Sequence, residues 1–442
     1  MTFTDPIVAA GVAGLPVLFD AGGVTPDDAL KVYLARIARH NTELGAVLEI
    51  DAQGAARDAA ASTARWRAGA PLSPVDGAPL LIKANIAVAG LACHGGIGAY
   101  RDAVATTDAA AVAALRAAGA VILGSVNMHE GALGATTDNP WFGRCRNPWN
   151  LDLTAGGSSG GSGAAVAAGL CAAALGTDTM GSVRIPSAYC GVFGHKPARG
   201  AVATAGVMEL SWTLDHVGVH ARSAQDVGQV LAVLTGGAVE VLATVGLRIG
   251  VLDTSSLEMD PEVLSQFDRW IEMVQLEDCH IAPLRLEDLD LGALRRRGLL
   301  ISEAEGSVIH EARLGEAPEG FSEGFRALLD YGARQPAIRL ARAYRDLEAA
   351  GAKVREAVSR FDVVIAPTAP QASFPFAPVP ANQADITALA NFAGLPACAF
   401  PIGRTKDGRP LSAQALALSE SAALSAALTL ARPIGAPPGF TD

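Results

Sequence analysis

Two glycine- and serine-rich turns, on either side of a run of small apolar residues, constrain this chain most strongly. The first turn, GGSSGGS, occupies residues 156–162, and the second, GTDTMGS, occupies residues 176–182. Glycines let the backbone turn tightly and approach a ligand closely. Neighbouring N–H groups in such a turn can stabilise an oxyanion. A serine in this setting suits nucleophilic catalysis, so residues 154–200 hold the best candidate for a site.

A flexible linker and a phosphate cradle are the two rival interpretations of these glycines. Gly/Ser linkers keep a polar composition on both sides, whereas residues 164–175 are small and apolar, which predicts a buried helix. A phosphate cradle requires GxxxxGK[ST], or GxGxxG directly after a strand. Neither pattern occurs in the chain, so both rivals are disfavoured.

The order of the motifs in this stretch resembles the amidase signature family of amide hydrolases. The matching segments are GGSSGGS, then GTDTxGSxRxP, then YCGVxGxKP. The resemblance implies an α/β fold whose central twisted mixed β-sheet is covered by helices on both faces. It also implies a single amidase domain over residues 1–442. Within that domain we expect a signature core at about 75–220, a variable substrate-shaping region at about 240–345 and a C-terminal return to the sheet at about 360–432.

Composition narrows the class of protein. The chain has 442 residues, half of them hydrophobic, which is enough to bury a large core. Its net charge of −11 without a basic block disfavours nucleic-acid binding. The six cysteines are scattered without a CxxC or Cys/His cluster, which disfavours a metal site or a disulfide scaffold. We expect no cofactor and no metal.

The sequence also predicts where the protein works and in what state. We find no signal peptide, because the N-terminus lacks a basic segment, and no apolar run long enough to span a membrane. We therefore expect a cytoplasmic protein without a membrane partner. A homodimer is expected only because it is the commonest assembly.

Local patterns predict helices that alternate with strands. Residues 24–42 carry helix-start signals, with Thr25 able to cap and Pro26 suited to the first turn. Residues 107–119 predict a helix, and residues 120–123 predict a short strand. This alternation indicates an α/β sheet enzyme.

Lys83 ends an apolar run, and this pattern has two interpretations. By itself it indicates a strand end whose lysine reaches water. The resemblance instead places the family's catalytic lysine here, because Gly77, Pro79 and Lys83 match its G-x-P-x-x-x-K stretch. The family often has Asp after this lysine, whereas this chain has Ala84.

The resemblance implies a catalytic triad of Lys83, Ser158 and Ser182. Ser182 would attack the carbonyl carbon, and Ser158 would pass the proton to Lys83. Lys83 can act as a base only if it is neutral, which requires burial or nearby positive charge to lower its pKa. The family holds the first serine through a cis peptide bond, so we predict one between Gly157 and Ser158. The spacing of 24 positions from Ser158 to Ser182 is interpreted as one helix and two turns.

The resemblance also assigns residues around the triad. It implies an oxyanion hole built from backbone N–H groups of Thr179, Met180, Gly181 and Ser182. Relatives usually have glycine where Met180 stands. If this position requires positive φ, methionine is disfavoured. If it does not, we expect the methionine side chain to narrow the pocket. Backbone near Ala132 is expected to touch the substrate, and Ser159 is expected to hold the first turn.

Asp178, Arg184 and His216 each have a structural and a functional interpretation. Asp178 and Arg184 form either a structural ion pair, because buried charges need partners, or a site in which Arg184 grips a substrate carboxylate. His216, beside an aspartate, is interpreted as a hydrogen-bonded structural residue rather than a member of a triad.

Together these features predict an amidase that hydrolyses the C–N bond of a small carboxamide through an acyl-serine. The first alternative is the glutaminase subunit of a tRNA-dependent amidotransferase, whose sequence is also similar. The second is a non-catalytic binding module on the same fold, which the intact Lys83, Ser158 and Ser182 disfavour. The sequence leaves the substrate open among aliphatic, aryl and urea-like amides.

Overall fold

A computed structural model of the chain describes residues 3–275 and 279–442. Helices and strands alternate along most of it. The helices are α1 (Pro6–Asp20), α2 (Pro26–Leu44), α3 (Ala52–Arg67), α4 (Ala110–Ala117), α5 (Gly160–Ala167), α6 (Arg184–Cys190), α7 (Ala224–Thr235), α8 (Pro261–Gln275), α9 (Leu291–Glu316), α10 (Glu323–Ala333), α11 (Ala337–Val358), α12 (Ala388–Ala393) and α13 (Glu420–Leu430). The strands are β1 (Val47–Ile50), β2 (Pro79–Lys83), β3 (Val121–Val126), β4 (Asp138–Asn139), β5 (Gly143–Arg144), β6 (Arg146–Asn147), β7 (Asn150–Thr154), β8 (Ala173–Asp178), β9 (Phe193–Lys196), β10 (His216–Ala221), β11 (Arg248–Leu252), β12 (His280–Leu284), β13 (Val363–Pro367), β14 (Ala397–Arg404) and β15 (Pro410–Leu416).

One mixed sheet organises the described part of the chain. Its 11 described strands lie in the order β1-β3-β2-β8-β10-β9-β14-β15-β13-β11-β12. β2 runs parallel to both β3 and β8, and β11 runs parallel to both β12 and β13. The remaining pairs are antiparallel. The predicted α/β class with a mixed central sheet is therefore confirmed.

Both faces of the sheet are buried. Successive side chains of a strand point to opposite faces, and each face packs in its own hydrophobic cluster. In β13, Val363 and Ile365 belong to one hydrophobic cluster, whereas Val364 and Ala366 belong to another. The first cluster includes residues of α7, α8 and α13, and the second includes residues of α9, α11 and α12. The prediction that helices cover both faces is therefore also confirmed.

The predicted helix-start signals of α2 operate as expected. The Thr25 hydroxyl accepts from the Asp28 N–H, the Asp28 carboxylate accepts from the Thr25 N–H, and Pro26 fills the first turn. Such a reciprocal cap satisfies backbone donors that have no partner within the helix. Leu30 and Tyr33 are buried on the face of α2 that packs on the core.

The prediction of one helix over residues 164–175 is wrong. Helix α5 begins earlier, at Gly160, and ends at Ala167. Gly169, with φ of 67°, turns the chain, and Ala173 begins the buried strand β8. Alanine carries neither a clear helical nor a clear strand period, and a strand buried on both faces is continuously apolar. The serines are therefore separated by a helix and a returning strand, not by a helix and two turns.

The glycines of α5 let this helix touch neighbouring backbone. A Cβ on Gly161 would lie 2.3 Å from the carbonyl oxygen of Asn127 and 2.8 Å from that of Ala46. A Cβ on Gly163 would lie 3.0 Å from the carbonyl oxygen of Pro186. Close packing of this kind explains why the stretch is rich in glycine, although it forms a helix and not a linker.

The predicted regions of the chain contribute to different parts of the sheet. The signature core supplies β2, β3, β8, β9 and β10, and the C-terminal region supplies β13, β14 and β15. The variable region supplies β11, β12, helices α8–α10 and the beginning of α11. Residues 276–278 of this region lie outside the described residues. The division of residues 1–442 as a single domain stays a prediction. No helix in the described ranges is long and apolar enough to cross a lipid bilayer.

Replacing Gly161 by alanine should destabilise the fold, because the added methyl group would collide with the backbone of Asn127. We expect Gly161→Ala to lower the free energy of unfolding by about 1–3 kcal/mol, as overpacking does. The measurement is urea denaturation.

Gly324→Ala in α10 is the matched control, because nothing lies within 4 Å of the added atom. It should raise the free energy of unfolding by about 0.5 kcal/mol through helix propensity. An equal effect of both substitutions would contradict this account of α5.

Candidate active site

Lys83 lies at the end of β2 with its ammonium group fully buried. β2 pairs with β3 on one side and β8 on the other, and the Lys83 side chain is 0% exposed. Lys83 Nζ lies 2.7 Å from Ser158 Oγ and 2.7 Å from Thr177 Oγ1. The interpretation of Lys83 as a solvent-exposed strand end is therefore wrong.

The surroundings of Lys83 favour its neutral form. Burial lowers the pKa of Lys83 to about 7, although the carboxylates of Asp215 and Asp178 act in the opposite direction. A buried ammonium group without an adjacent carboxylate loses hydration that two hydroxyls replace only in part. A substantial fraction of Lys83 is therefore an amine with a free lone pair near neutral pH.

Ser158 precedes α5, in the turn between β7 and that helix. The Gly157–Ser158 peptide bond is cis, as predicted. The carbonyl oxygen of Ser158 accepts a hydrogen bond from the His129 N–H at 3.0 Å. Thr137 Oγ1 donates to the carbonyl oxygen of Gly156 at 2.8 Å. The turn is thus held from both sides, and it presents the Ser158 hydroxyl to Lys83.

Ser182 follows the end of β8 and lies beside the first turn. Its carbonyl oxygen accepts from the Ser159 N–H at 3.2 Å. Ser159 Oγ donates to the carbonyl oxygen of Thr177 at 3.1 Å and accepts from the Thr177 N–H at 3.3 Å. Ser159 therefore ties the two glycine-rich turns to β8. No hydrogen bond joins the hydroxyls of Ser158 and Ser182 in the described part of the chain.

Asp178 and Arg184 form a buried ion pair, with 3.0 Å between Arg184 Nη2 and Asp178 Oδ1. Burial alone would raise the pKa of Asp178, but the guanidinium of Arg184 holds it well below its usual range. The other Arg184 N–H groups donate to Asp178 Oδ2, to the carbonyl oxygen of Thr387, and to the side chains of Asn391 and Gln414. All five N–H donors of the guanidinium therefore have acceptors. This supports the structural interpretation of Arg184, because no donor remains to bind a substrate carboxylate.

The Asp178 carboxylate also shapes the turn that contains Ser182. It accepts from the Gly181 N–H at 2.7 Å and from the Val183 N–H at 3.1 Å. The N–H of Gly181 is therefore already in use, and its predicted part in the oxyanion hole does not fit this geometry. Positive φ occurs at Gly181, at 135°, and not at Met180. Methionine is consequently tolerated at position 180.

Sequence reasoning misses two polar residues beside the triad. Thr177 accepts from Lys83, and Asp215 lies close enough to raise the pKa of that lysine. Burial raises the pKa of Asp215 itself to about 6, although it accepts from Thr179 Oγ1 at 2.5 Å. Thr177 lies in the second glycine-rich turn and Asp215 directly precedes His216, but neither position by itself gives its side chain a role.

Ser182 opens into a cavity of about 210 Å³. The wall is mostly apolar and combines the second glycine-rich turn, the backbone around Ala132, helix α9 and the segment before α12. Ala132 itself has φ of 59°. The lining residues are Ala132, Leu133, Gly134, Ala135, Thr179, Met180, Ser182, Ile185, Leu210, Arg295, Leu299, Val379, Pro380, Ala381, Gln383 and Ala384. Met180 lines this space, and its sulfur lies 2.5 Å from where a Cβ on Gly298 of α9 would stand.

Other titratable groups near the site have structural partners. His216 Nδ1 lies 2.7 Å from the carbonyl oxygen of Leu214, and burial lowers the pKa of His216 well below its ordinary value. No group of three or more His, Cys, Asp or Glu side chains in residues 3–275 and 279–442 is arranged to hold a metal ion.

Comparisons with known proteins identify the family. A family model described as Amidase matches residues 28–422. The chain belongs to the amidase signature family. It is therefore related to serine hydrolases that cleave amides, and the distribution of its motifs along residues 75–432 agrees with the match.

Individual relatives carry two kinds of name. A glutamyl-tRNA(Gln) amidotransferase subunit from Roseiflexus sp. (strain RS-1) is 45% identical over 215 residues, which are 49% of this chain and 44% of that relative. In that match the chain spans less than half of the relative's length. The protein of the same name from Acidothermus cellulolyticus is 32% identical over 452 residues, covering 91% of this chain and 90% of the relative. A solved structure described as "Crystal structure of amidase" is 29% identical with a TM-score of 0.89, covering 95% of this chain and 99% of the other.

Removing the guanidinium of Arg184 should destabilise this amidase strongly. Arg184→Met leaves the Asp178 carboxylate buried without its cationic partner. We expect a loss of about 3–5 kcal/mol in the free energy of unfolding, measured by chemical denaturation.

The control is Arg334→Met, which removes an exposed ion pair with Asp330 on α10. It should change stability little, because exposed pairs are screened by water and salt. A loss for Arg184→Met no larger than that of the control would refute the structural role of the buried pair.

Proposed function

We propose that this amidase hydrolyses the C–N bond of a small carboxamide to a carboxylic acid and ammonia or an amine, through an acyl-serine intermediate. The observation that carries the proposal is the buried Lys83 Nζ, 2.7 Å from Ser158 Oγ, next to the turn that holds Ser182. An amide needs an activated nucleophile, a stabilised oxyanion and an acid for the leaving amine. Each of these has a candidate in the site.

Acylation begins with Lys83 as a neutral amine. Ser182 Oγ attacks the carbonyl carbon and gives its proton to Ser158 Oγ, while Ser158 gives its own proton to Lys83. The contact between the two serine hydroxyls belongs to the proposal and requires rotation of the Ser182 side chain. A hydroxyl can accept one proton and donate another in the same step. The products of this step are a tetrahedral oxyanion and a protonated Lys83.

The oxyanion forms at the N–H groups of the turn that contains Ser182. Since the Gly181 N–H already donates to Asp178, we assign the hole to the N–H groups of Thr179, Met180 and Ser182. Asp178 supports them indirectly, because it fixes the turn through Gly181 and Val183. Donors that are fixed before the reaction need no reorganisation when the charge develops.

Collapse of the intermediate breaks the C–N bond. Ser158 donates a proton to the leaving nitrogen and receives one from Lys83, so ammonia or an amine departs neutral. Water then attacks the acyl-serine, and its proton follows the same route to Lys83. The second collapse returns a proton to Ser182 Oγ and releases the acid. The cavity of about 210 Å³ suits a small acyl group.

A second candidate function is the glutaminase subunit of a tRNA-dependent amidotransferase. The name of the full-length relative from Acidothermus cellulolyticus favours it. That assignment would make activity depend on partner subunits. Hydrolysis of simple amides by the purified chain alone would favour the independent amidase, whereas activity only on addition of partner subunits would favour the amidotransferase.

A non-catalytic binding module is the third candidate and belongs to a different functional class. The close approach of Lys83 to Ser158 and the lowered pKa of Lys83 disfavour it, because a binding protein gains nothing from a buried neutral amine. Labelling by a fluorophosphonate separates the two classes.

Removing the proposed nucleophile should abolish catalysis without unfolding the protein. We expect Ser182→Ala to lower kcat by on the order of 10⁴-fold or more and to eliminate fluorophosphonate labelling. Lys83→Met should lower kcat to a similar extent, because the base and the nucleophile act as one unit. Ammonia release and mass spectrometry of the labelled protein provide the measurements.

Ser162→Ala is the matched control from the same glycine-rich stretch, since its hydroxyl donates to the carbonyl oxygen of Leu175 and not to the triad. It should keep activity and labelling. Retained turnover in Ser182→Ala, or an unchanged rate in Lys83→Met, would remove that residue from the mechanism.

The pH dependence of kcat/KM should report the protonation of Lys83. Its pKa near 7 predicts that activity rises about tenfold per pH unit below that value and levels off above it, because only the amine is a base. Asp215 stabilises the ammonium form and raises the pKa of Lys83. Asp215→Asn should therefore move the profile to lower pH.

Asp330→Asn, which changes an exposed carboxylate on α10, is the control for this shift and should leave the profile in place. A shift of the Asp215→Asn profile to higher pH would contradict the assignment of the titration to Lys83.

A further inference from the structure

We infer that Arg295 is a specificity-determining residue that binds a carboxylate on the acyl portion of the substrate. This inference rests on the proposed function and names its substrate class. Arg295 lies on α9 and lines the cavity into which Ser182 opens. Among the described residues that line the cavity, it is the one charged side chain. A guanidinium in an otherwise apolar wall is suited to recognise an anionic oxygen group.

The hydrogen bonds of Arg295 leave one edge of its guanidinium available. Nε donates to Asp385 Oδ1 at 2.5 Å, and the side chain is only 12% exposed. In residues 3–275 and 279–442, no acceptor bonds to Nη1 or Nη2 of Arg295. Donors that are this well shielded normally have partners. The terminal edge can therefore bind a carboxylate in a fork-to-fork arrangement.

The other polar side chains of the wall are already engaged. Gln383 Oε1 accepts from the Tyr189 hydroxyl at 3.2 Å, and Gln383 Nε2 donates to the carbonyl oxygen of Pro380 at 3.1 Å. Thr179 Oγ1 likewise donates to Asp215. Apart from the proposed nucleophile Ser182, Arg295 is thus the polar side chain of the described cavity wall whose terminal amino groups have no hydrogen-bond acceptor.

The helical position of Arg295 separates it from two adjacent arginines. Consecutive residues of a helix point in directions about 100° apart. Arg297 pairs with Asp346 at 2.8 Å, and Arg296 is exposed. Neither lines the cavity. The sequence RRR therefore contains one residue directed at the substrate and a closely matched control two positions away.

Asp385 provides the competing explanation, in which Arg295 serves only as its ionic partner. Asp385 is 7% exposed and does not line the cavity. Its contact with Nε fixes the guanidinium plane and leaves the opposite edge available. A purely structural pair would be equally disrupted by changing either partner. A binding role predicts different consequences for the two changes, because only Arg295 would touch the substrate.

The experiment compares two amides of similar length in the wild type. One is the monoamide of butanedioic acid, which carries a carboxylate, and the other is pentanamide, which is neutral. We expect kcat/KM to favour the anionic amide by roughly 10–100-fold, the range of a charge-assisted bidentate contact. Equal rates for the two amides, or a preference for the neutral one, would overturn the proposal and leave amide hydrolysis itself intact.

Substitutions then assign the preference to a residue. Arg295→Met should lower kcat/KM for the anionic amide by roughly 10–100-fold and leave that for pentanamide within about threefold. Arg295→Lys should recover part of the preference, because it keeps the charge but not the planar fork. Asp385→Asn should keep the preference, and Arg297→Met should match the wild type. An equal loss for both amides in Arg295→Met, or loss of the preference in Asp385→Asn, would support the structural explanation instead.

Binding without turnover separates this proposal from the proposed chemistry. Calorimetry on Ser182→Ala should show that the monoamide of butanedioic acid binds roughly 10–100-fold more tightly than it binds to Ser182→Ala/Arg295→Met. Equal affinity in the two variants, or no binding to Ser182→Ala, would overturn the role of Arg295 even if hydrolysis is observed. If the wild type binds the monoamide of butanedioic acid tightly but hydrolyses neither amide, the result contradicts only the proposed function.

Discussion

The burial of one lysine between two hydroxyls is the constraint on which the rest of this site depends. Lys83 Nζ has Ser158 and Thr177 as neighbours, and no carboxylate pairs with it directly in the described part of the chain. An ammonium group in such a place is poorly solvated, so its pKa falls to about 7. The structure achieves this by ending β2 between β3 and β8, where the side chain is fully buried. The chemical use of the amine follows from this placement.

The fold keeps the strong charges of the site apart from the lysine. Asp178 is paired with Arg184, and the pair shares its hydrogen bonds with Asn391 and with the N–H of Gly181. The guanidinium of Arg184 therefore largely compensates the negative charge of Asp178. This compensation weakens the effect of Asp178 on the pKa of Lys83. The same carboxylate fixes the turn that carries Ser182. One buried ion pair thus serves two purposes, since it stabilises the turn and limits the electrostatic support of the ammonium form.

The sequence predicts what its local motifs determine and misses what only the tertiary structure brings together. The caps of α2, the cis bond at Gly157–Ser158 and the approach of Lys83 to Ser158 all follow from recognisable motifs. The boundary between α5 and β8 does not, because alanine-rich segments lack a distinguishing period. Two other features depend on how the chain folds around the site. The Gly181 N–H donates to Asp178, and Arg295 lines the cavity.

Direct titration of Lys83 tests the central claim most directly. The chain has only five lysines, so a ¹³Cε-lysine NMR spectrum recorded against pH is simple, and Lys83→Met assigns the signal. Lys196 is also buried with a pKa lowered to about 7, which makes this assignment essential. The account predicts that the signal missing from Lys83→Met titrates near pH 7. A signal that remains that of an ammonium group above about pH 9, close to an ordinary lysine, would contradict it.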